Sequence, residues 1–203
     1  MPDSRNSLSE QDKLLLEVGR CLNTWSNIEF NLSAIYTTMF FLTDNENQST
    51  FKVYNALRAS FDSVVSFDAR VAMATVAVQQ GPHSYELIKK NWSSLSKRML
   101  KKYKKRNGVA HFETREIERY GQKKFALHPF LTYTKSFPEA GRIDLTLSDL
   151  TQRLKSFEAL SSEIGAYAVY SHVRTVQDPD ARKLAERLRQ RLEKTGGESP
   201  EEM

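Results

Sequence analysis

The sequence predicts an all-α protein: a four-helix bundle with a small hairpin insertion between the third and fourth helices and an extra C-terminal helix. Three observations predict it. Apolar residues recur at alternating steps of four and three over long stretches, the spacing that keeps one side of an α-helix against its neighbours. Ser-x-x-Glu and Thr-x-x-Asp strings open two of those stretches, and such strings satisfy the unpaired N–H groups of a first helical turn. A single region, between Glu113 and Arg142, loses the helical period and takes on turn residues and aromatics instead.

The first helix is expected to start at the box Ser7-Leu8-Ser9-Glu10 and to run to about Leu42. Its inward line is Leu14, Val18, Cys21, Trp25, Ile28, Leu32, Ile35 and Met39, and Asp44-Asn45-Glu46-Asn47 ends it as a polar loop. A second helix, from about Thr50 to Gln80, repeats the stepping through Tyr54, Leu57, Phe61, Val64, Val71, Thr75 and Val78. Asp68 falls on that line, where a carboxylate needs a partner or water, or else marks a seam that rotates slightly. Gly81-Pro82 stops the helix and Ser84 is the expected cap of the third. The third helix is lined by Ile88, Trp92, Leu95, Met99 and Tyr103.

Past Gly108, the residues Ile117, Phe125, Leu127, Phe130 and Tyr133, punctuated by Tyr120-Gly121, Pro129 and Pro138, read as a hairpin and loop over 113–145. Thr146-x-x-Asp149 then opens a fourth helix, with Leu150, Leu154, Phe157, Leu160, Ile164 and Tyr167 on one side and an end near Val176. Asp178-Pro179 caps a last helix with Leu184, Leu188 and Leu192 at four-residue steps, before a Gly196-Gly197 pair and an acidic tail expected to be disordered. The organisation is therefore one helical domain over 1–176 and a charged helix and tail over 177–203. Its narrow leucine stripe fits docking on the bundle or on another subunit.

Composition narrows the class. With 203 residues, 39% hydrophobic and 27% charged, the chain is long enough to bury a core without cross-links. Cys21 is the one cysteine, so no internal disulfide can form, and a cytoplasmic location is expected. No apolar run has the length of a membrane span. His83, His128 and His172 have no second ligand at metal-binding spacing, and no phosphate-cradling glycine loop or serine-hydrolase elbow occurs, so neither metal nor cofactor is expected.

Charge is distributed unevenly. Between Leu87 and Phe112 there is no acid, while Lys89, Lys90, Lys97, Arg98, Lys101, Lys102, Lys104, Lys105 and Arg106 accumulate. These nine cations exceed the formal net charge of +5, so the rest of the chain carries −4. The strip closes on Arg106-Asn107-Gly108-Val109-Ala110-His111, which sets a permanent cation five residues before an imidazole. Concentrated positive charge beside a proton-transfer group points to a phosphate-bearing partner, and RNA contacts are expected from Lys97, Arg98, Lys101, Lys102, Lys104 and Lys105. Tyr103, amid the lysines, is the aromatic placed to stack on a base. A solvated helix face that only keeps the protein soluble is the other reading of such a run.

Three features in this order carry a resemblance: Trp25-x-x-Ile28-Glu29-x-x-Leu32 on the first helix, Arg106-Asn107-x-x-Ala110-His111 at the end of the third, and Leu147-x-Asp149-Leu150 opening the fourth. Over roughly residues 8 to 175 the chain resembles the HEPN superfamily (higher eukaryotes and prokaryotes nucleotide-binding domains), whose signature is an Arg followed a few residues later by His. The resemblance implies a metal-independent endoribonuclease, a toxin or defence effector of the toxin–antitoxin kind, acting as a homodimer with both subunits lining one cleft and restrained by an inhibitory protein partner. It also implies that Arg106, Asn107 and His111 are the catalytic residues. Some family toxins carry a Tyr two positions after the His; Glu113 stands there in this chain.

The chemistry is consistent with that implication. Cleavage of RNA through its own 2′-hydroxyl needs a base, an acid and fixed positive charge at phosphorus; His suits the first two and the Arg fork the third. On a straight helix, however, Arg106 and His111 lie about 140° apart. Productive geometry then needs Arg106's reach, a loosened backbone at Gly108, or a second subunit. A catalytically inactive HEPN-like module for dimerisation and nucleic-acid or protein binding is the alternative, with His111 a structural group at the end of its helix.

Overall fold

In a computed structural model of the chain, the described residues are 8–40, 48–119, 121–129, 144–174 and 179–195. They form six helices and one antiparallel strand pair. None of the described helices is long and apolar enough to cross a membrane.

Helix α1 covers Glu10–Thr38. The expected cap residue Ser7 lies outside the described residues, and the helix opens on Ser9. Its hydroxyl accepts from the Asp12 N–H at 3.1 Å and donates to the Asp12 carboxylate at 2.6 Å, while Lys13 N–H makes the first helical bond to Ser9 O at 3.0 Å. Every residue of the inward line is buried except Val18, which is half-buried.

The expected single second helix is two: α2, Gln48–Asp62, and α3, Phe67–Gln80. The break has a local cause. Ser66 Oγ accepts from Ala69 N–H at 3.4 Å and caps α3, and Asp68 stands exposed in that helix's first turn, where a carboxylate interacts well with the dipole. From α3, Arg70 turns back and donates from Nε to Val64 O at 2.7 Å and from Nη2 to Asp62 O at 2.9 Å, satisfying carbonyls that the end of α2 leaves open. Its Nη1 also reaches Glu29 Oε2 at 3.4 Å.

Helix α4 spans Glu86–Ala110. Its first bonds close on Tyr85 O, whereas the Ser84 hydroxyl donates backwards to Val78 O, so Ser84 ties off α3 instead of capping α4. Strands β1, Phe112–Arg119, and β2, Gln122–Pro129, pair from Phe112↔Pro129 to Arg119↔Gln122. Gly121 in the two-residue turn has φ +69°, a conformation that a side chain disfavours. Beyond the hairpin, Leu127 and Leu145 exchange both backbone hydrogen bonds at 2.9 Å, and His128 Nδ1 lies 2.7 Å from Asp144 Oδ1. The rest of the expected loop, 130–143, lies outside the described residues.

Helix α5, Leu147–Val173, opens on the expected box: Asp149 Oδ2 accepts from Thr146 N–H at 2.8 Å, and Thr146 Oγ1 accepts from Asp149 N–H at 3.3 Å. Helix α6 is Pro179–Thr195.

The chain divides into two compact units. The first contains the residues up to Ser26 and Lys101–Ala159: the start of α1, the end of α4, the hairpin and the start of α5. Its core is built on Trp25, fully buried, with Phe157 edge-on at 5.4 Å and Tyr103 tilted at 5.9 Å. Tyr103, expected as a base-stacking ring, is thus half-buried against Trp25. Cys21 is buried here and donates to Leu150 O at 3.7 Å; burial first, then Glu17, pushes its thiol up to about 11.

The second unit holds Asn27–Leu100 and the residues from Leu160 on. Phe61, Phe67 and Trp92 fill its centre, and the Trp92 indole N–H finds Thr75 Oγ1 at 2.8 Å. Within it α6 docks on its own chain: Leu192 and Ala185 are buried, Leu188 is half-buried, and Arg191 Nη2 reaches Ser162 Oγ at 3.3 Å. Leu184, expected in the same stripe, stays exposed, because the buried line advances by three and four from Ala185.

Candidate functional site

The catalytic residues expected from the sequence, Arg106, Asn107 and His111, lie at the end of α4, in the first unit. The helix stays regular through Gly108 to Ala110, so the backbone does not loosen there. His111 is the first residue beyond it. Its N–H closes the last turn on Asn107 O at 3.1 Å, and it is exposed.

Arg106 falls three residues after Tyr103, four after Lys102 and seven after Met99, so helical geometry places it on the inward line of α4. This accounts for its half-burial. Its Nη1 donates to Asn107 Oδ1 at 3.3 Å, and its Nε–H, sealed from solvent, has no hydrogen-bond partner among the described residues. A guanidinium N–H left so is costly, and Arg98 Nε is in the same state. Asn107 is itself buried and holds one edge of the fork.

The basic strip separates into two populations. Lys101, Lys104 and Lys105 are exposed and lie within about 100° of helical arc. Lys102 turns the other way: it is half-buried and its ammonium donates to Ser156 O at 3.1 Å and to Ser156 Oγ. In the second unit, Lys97 is exposed, whereas Arg98 makes a bidentate pair with Glu163 at 2.6 and 2.5 Å. The hydrogen bonds it donates to Glu163 hold the Arg98 guanidinium above its ordinary pKa, against the lowering effect of burial. Of the six expected RNA contacts, Lys97, Lys101, Lys104 and Lys105 are therefore exposed, and Arg98 and Lys102 are half-buried.

Around this turn stand groups that the sequence reading did not single out. Arg153, from α5, donates through Nη1 to Lys105 O at 2.8 Å. A Cβ on Gly108 would lie 3.3 Å from the same nitrogen. The one hint in the sequence is an Arg beside the apolar line of α5 together with a glycine inside a helix. Glu113 pairs with Arg115 and faces His128 across the hairpin. A shallow depression along α5 is lined by Leu147, Ser148, Thr151, Gln152 and Lys155 and includes none of the predicted catalytic residues. Among the described residues no group of three or more His, Cys, Asp and Glu is placed to hold a metal ion.

Taken together, the C-terminal end of α4 brings together a half-buried guanidinium, an adjacent buried amide, an exposed imidazole and three exposed lysines. Such a set can bind a phosphodiester and move a proton beside it. No protein-family model, curated protein or solved structure matches the chain.

Proposed function

We propose that the protein is a metal-independent endoribonuclease of the HEPN type, cytoplasmic, that cleaves RNA by attack of its own 2′-hydroxyl. The observation that carries this reading is the clustering at one helix end of half-buried Arg106, bonded to Asn107 Oδ1, with the exposed His111 just beyond the helix. Arg106 offers its fork to the non-bridging phosphate oxygens, and Lys101, Lys104 and Lys105 hold the flanking backbone. His111 handles protons. As a homodimer with two such turns lining one cleft, one imidazole accepts the 2′ proton and the other donates to the departing 5′-oxygen. The products are a 2′,3′-cyclic phosphate and a 5′-hydroxyl. A toxin or defence effector held by an inhibitory partner is the setting that fits this activity.

The test is incubation of purified protein with total RNA in EDTA, with size measured by light scattering. Cleavage should persist without metal, spare DNA and leave cyclic phosphate ends, and the particle should weigh about twice 23.3 kDa. His111→Ala should lower the rate by roughly 100- to 10,000-fold with the helical fold intact. Arg106→Lys should also fail, because a point charge cannot replace a fork. Unchanged cleavage by His111→Ala would refute the reading. The exposure of Lys101, Lys104 and Lys105 independently favours a second one, a helical module that binds nucleic acid without cutting it.

A further inference from the structure

Arg153 has no part in the sequence signature, yet it is anchored on the backbone that carries the signature. The Lys105 carbonyl it binds at 2.8 Å belongs to the peptide unit whose nitrogen is that of Arg106. Lys105 and Gly108 are three residues apart and so share a face of α4. The guanidinium runs over that face, and glycine leaves it the room: any Cβ at 108 would approach Arg153 Nη1 to 3.3 Å, closer than ordinary contact. Lys102 makes the reciprocal link, donating from α4 to the Ser156 backbone carbonyl of α5. Two cations, each bonded to the other helix's main chain, fix the turn from Lys102 to His111 against α5.

We infer that Arg153 is the positioning residue of the Arg106–His111 site, crossing α4 where Gly108 carries no side chain. The inference rests on the ribonuclease reading for what the turn does, and it concerns how the turn is held. Arg153 need not touch RNA. It fixes the peptide plane from which Arg106 springs and, through the helical turn, the exit at His111. A geometry error of about 1 Å in such a group lowers turnover by roughly 100-fold.

Three variants and two readouts test this. Arg153→Ala should lower kcat at least tenfold while KM stays within about twofold. Arg153→Lys, which keeps a cation able to reach the carbonyl, should recover most of the loss. Gly108→Ala should melt no earlier than the parent, since alanine outranks glycine in a helix, and yet lose turnover as Arg153 is pushed aside. The second readout is NMR of the His111 ring and the Arg106 Nε–H. Both signals should shift in Arg153→Ala and in Gly108→Ala, while methyl signals of Ile35 and Val78 stay in place. If the parent cleaves RNA and Arg153→Ala cleaves with the same kcat, the inference is overturned and the ribonuclease reading stands. If the parent does not cleave RNA, that reading fails, and the NMR decides: unmoved His111 and Arg106 signals overturn the positioning role, and moved ones support it.

Discussion

Neutralising the three exposed lysines together, as Lys101→Gln, Lys104→Gln and Lys105→Gln, isolates their electrostatic share of the proposed RNA binding. Each phosphate contact to a single strand contributes about 0.7 to the slope of log affinity against log salt, so three contacts contribute roughly 2. Between about 50 and 200 mM salt the parent should therefore lose roughly twentyfold more affinity than the triple variant. Lys102 is the internal control. Because its ammonium is committed to Ser156, Lys102→Gln should leave the salt slope unchanged and lower stability by about 1–2 kcal/mol. Fluorescence anisotropy with single-stranded RNA of several sequences, in a His111→Ala background to prevent turnover, gives both slopes. Equal slopes for the parent and the triple variant would reduce these lysines to a solubilising face. A Lys102→Gln slope as low as the triple variant's would refute the division of the strip into outward and inward cations.

Other outcomes follow from single contacts. Cys21 is fully buried and its thiol titrates near 11 rather than the usual 9.0, so the unfolded chain loses that proton first. Stability should fall by on the order of 2–3 kcal/mol as pH rises from 9 to 11, and Cys21→Ala should flatten that decline in urea titrations, leaving the later fall from Tyr167, whose buried phenol is pushed up to about 12. Arg70→Met should cost about 1–3 kcal/mol, because it uncovers the Asp62 and Val64 carbonyls between α2 and α3; an unchanged denaturation midpoint would contradict the capping role. Leu192→Ala should cost about 2–4 kcal/mol and expose α6 to protease, unless that helix contributes nothing to the second unit.

Much of this architecture was legible because helix seams are local. The line from Leu14 to Met39 needs only spacing to be read, and the Thr146–Asp149 box only two side chains three residues apart. The break between α2 and α3 was hidden because Leu57, Phe61 and Val64 stay in step with Val71, Thr75 and Val78 across it. Asp68 was its trace: an acid that interrupts a seam is ordinary in a first turn after a serine cap. The grouping of Arg106, Asn107 and His111 at one helix end was legible because they are neighbours in sequence. Which cations turn inward was not, since Glu163 is 65 residues from Arg98 and Ser156 is 54 from Lys102. Arg153 escaped for the same reason, 48 residues from the carbonyl it binds.

The Leu127–Leu145 bridge has a consequence for how the first unit folds. About 36 residues separate the end of α4 from the start of α5, and closing that span in one step is entropically slow. Once β1 and β2 have zipped and Leu127 has met Leu145, the shortest path through hydrogen-bonded neighbours is only about seven residues, which lowers the closure cost by about 1.5 kcal/mol. The hairpin thus acts as a shortcut that delivers α5 to α4 early. Substitutions that weaken it, such as Leu127→Ala, should slow folding more than they speed unfolding, with a φ-value above about 0.5.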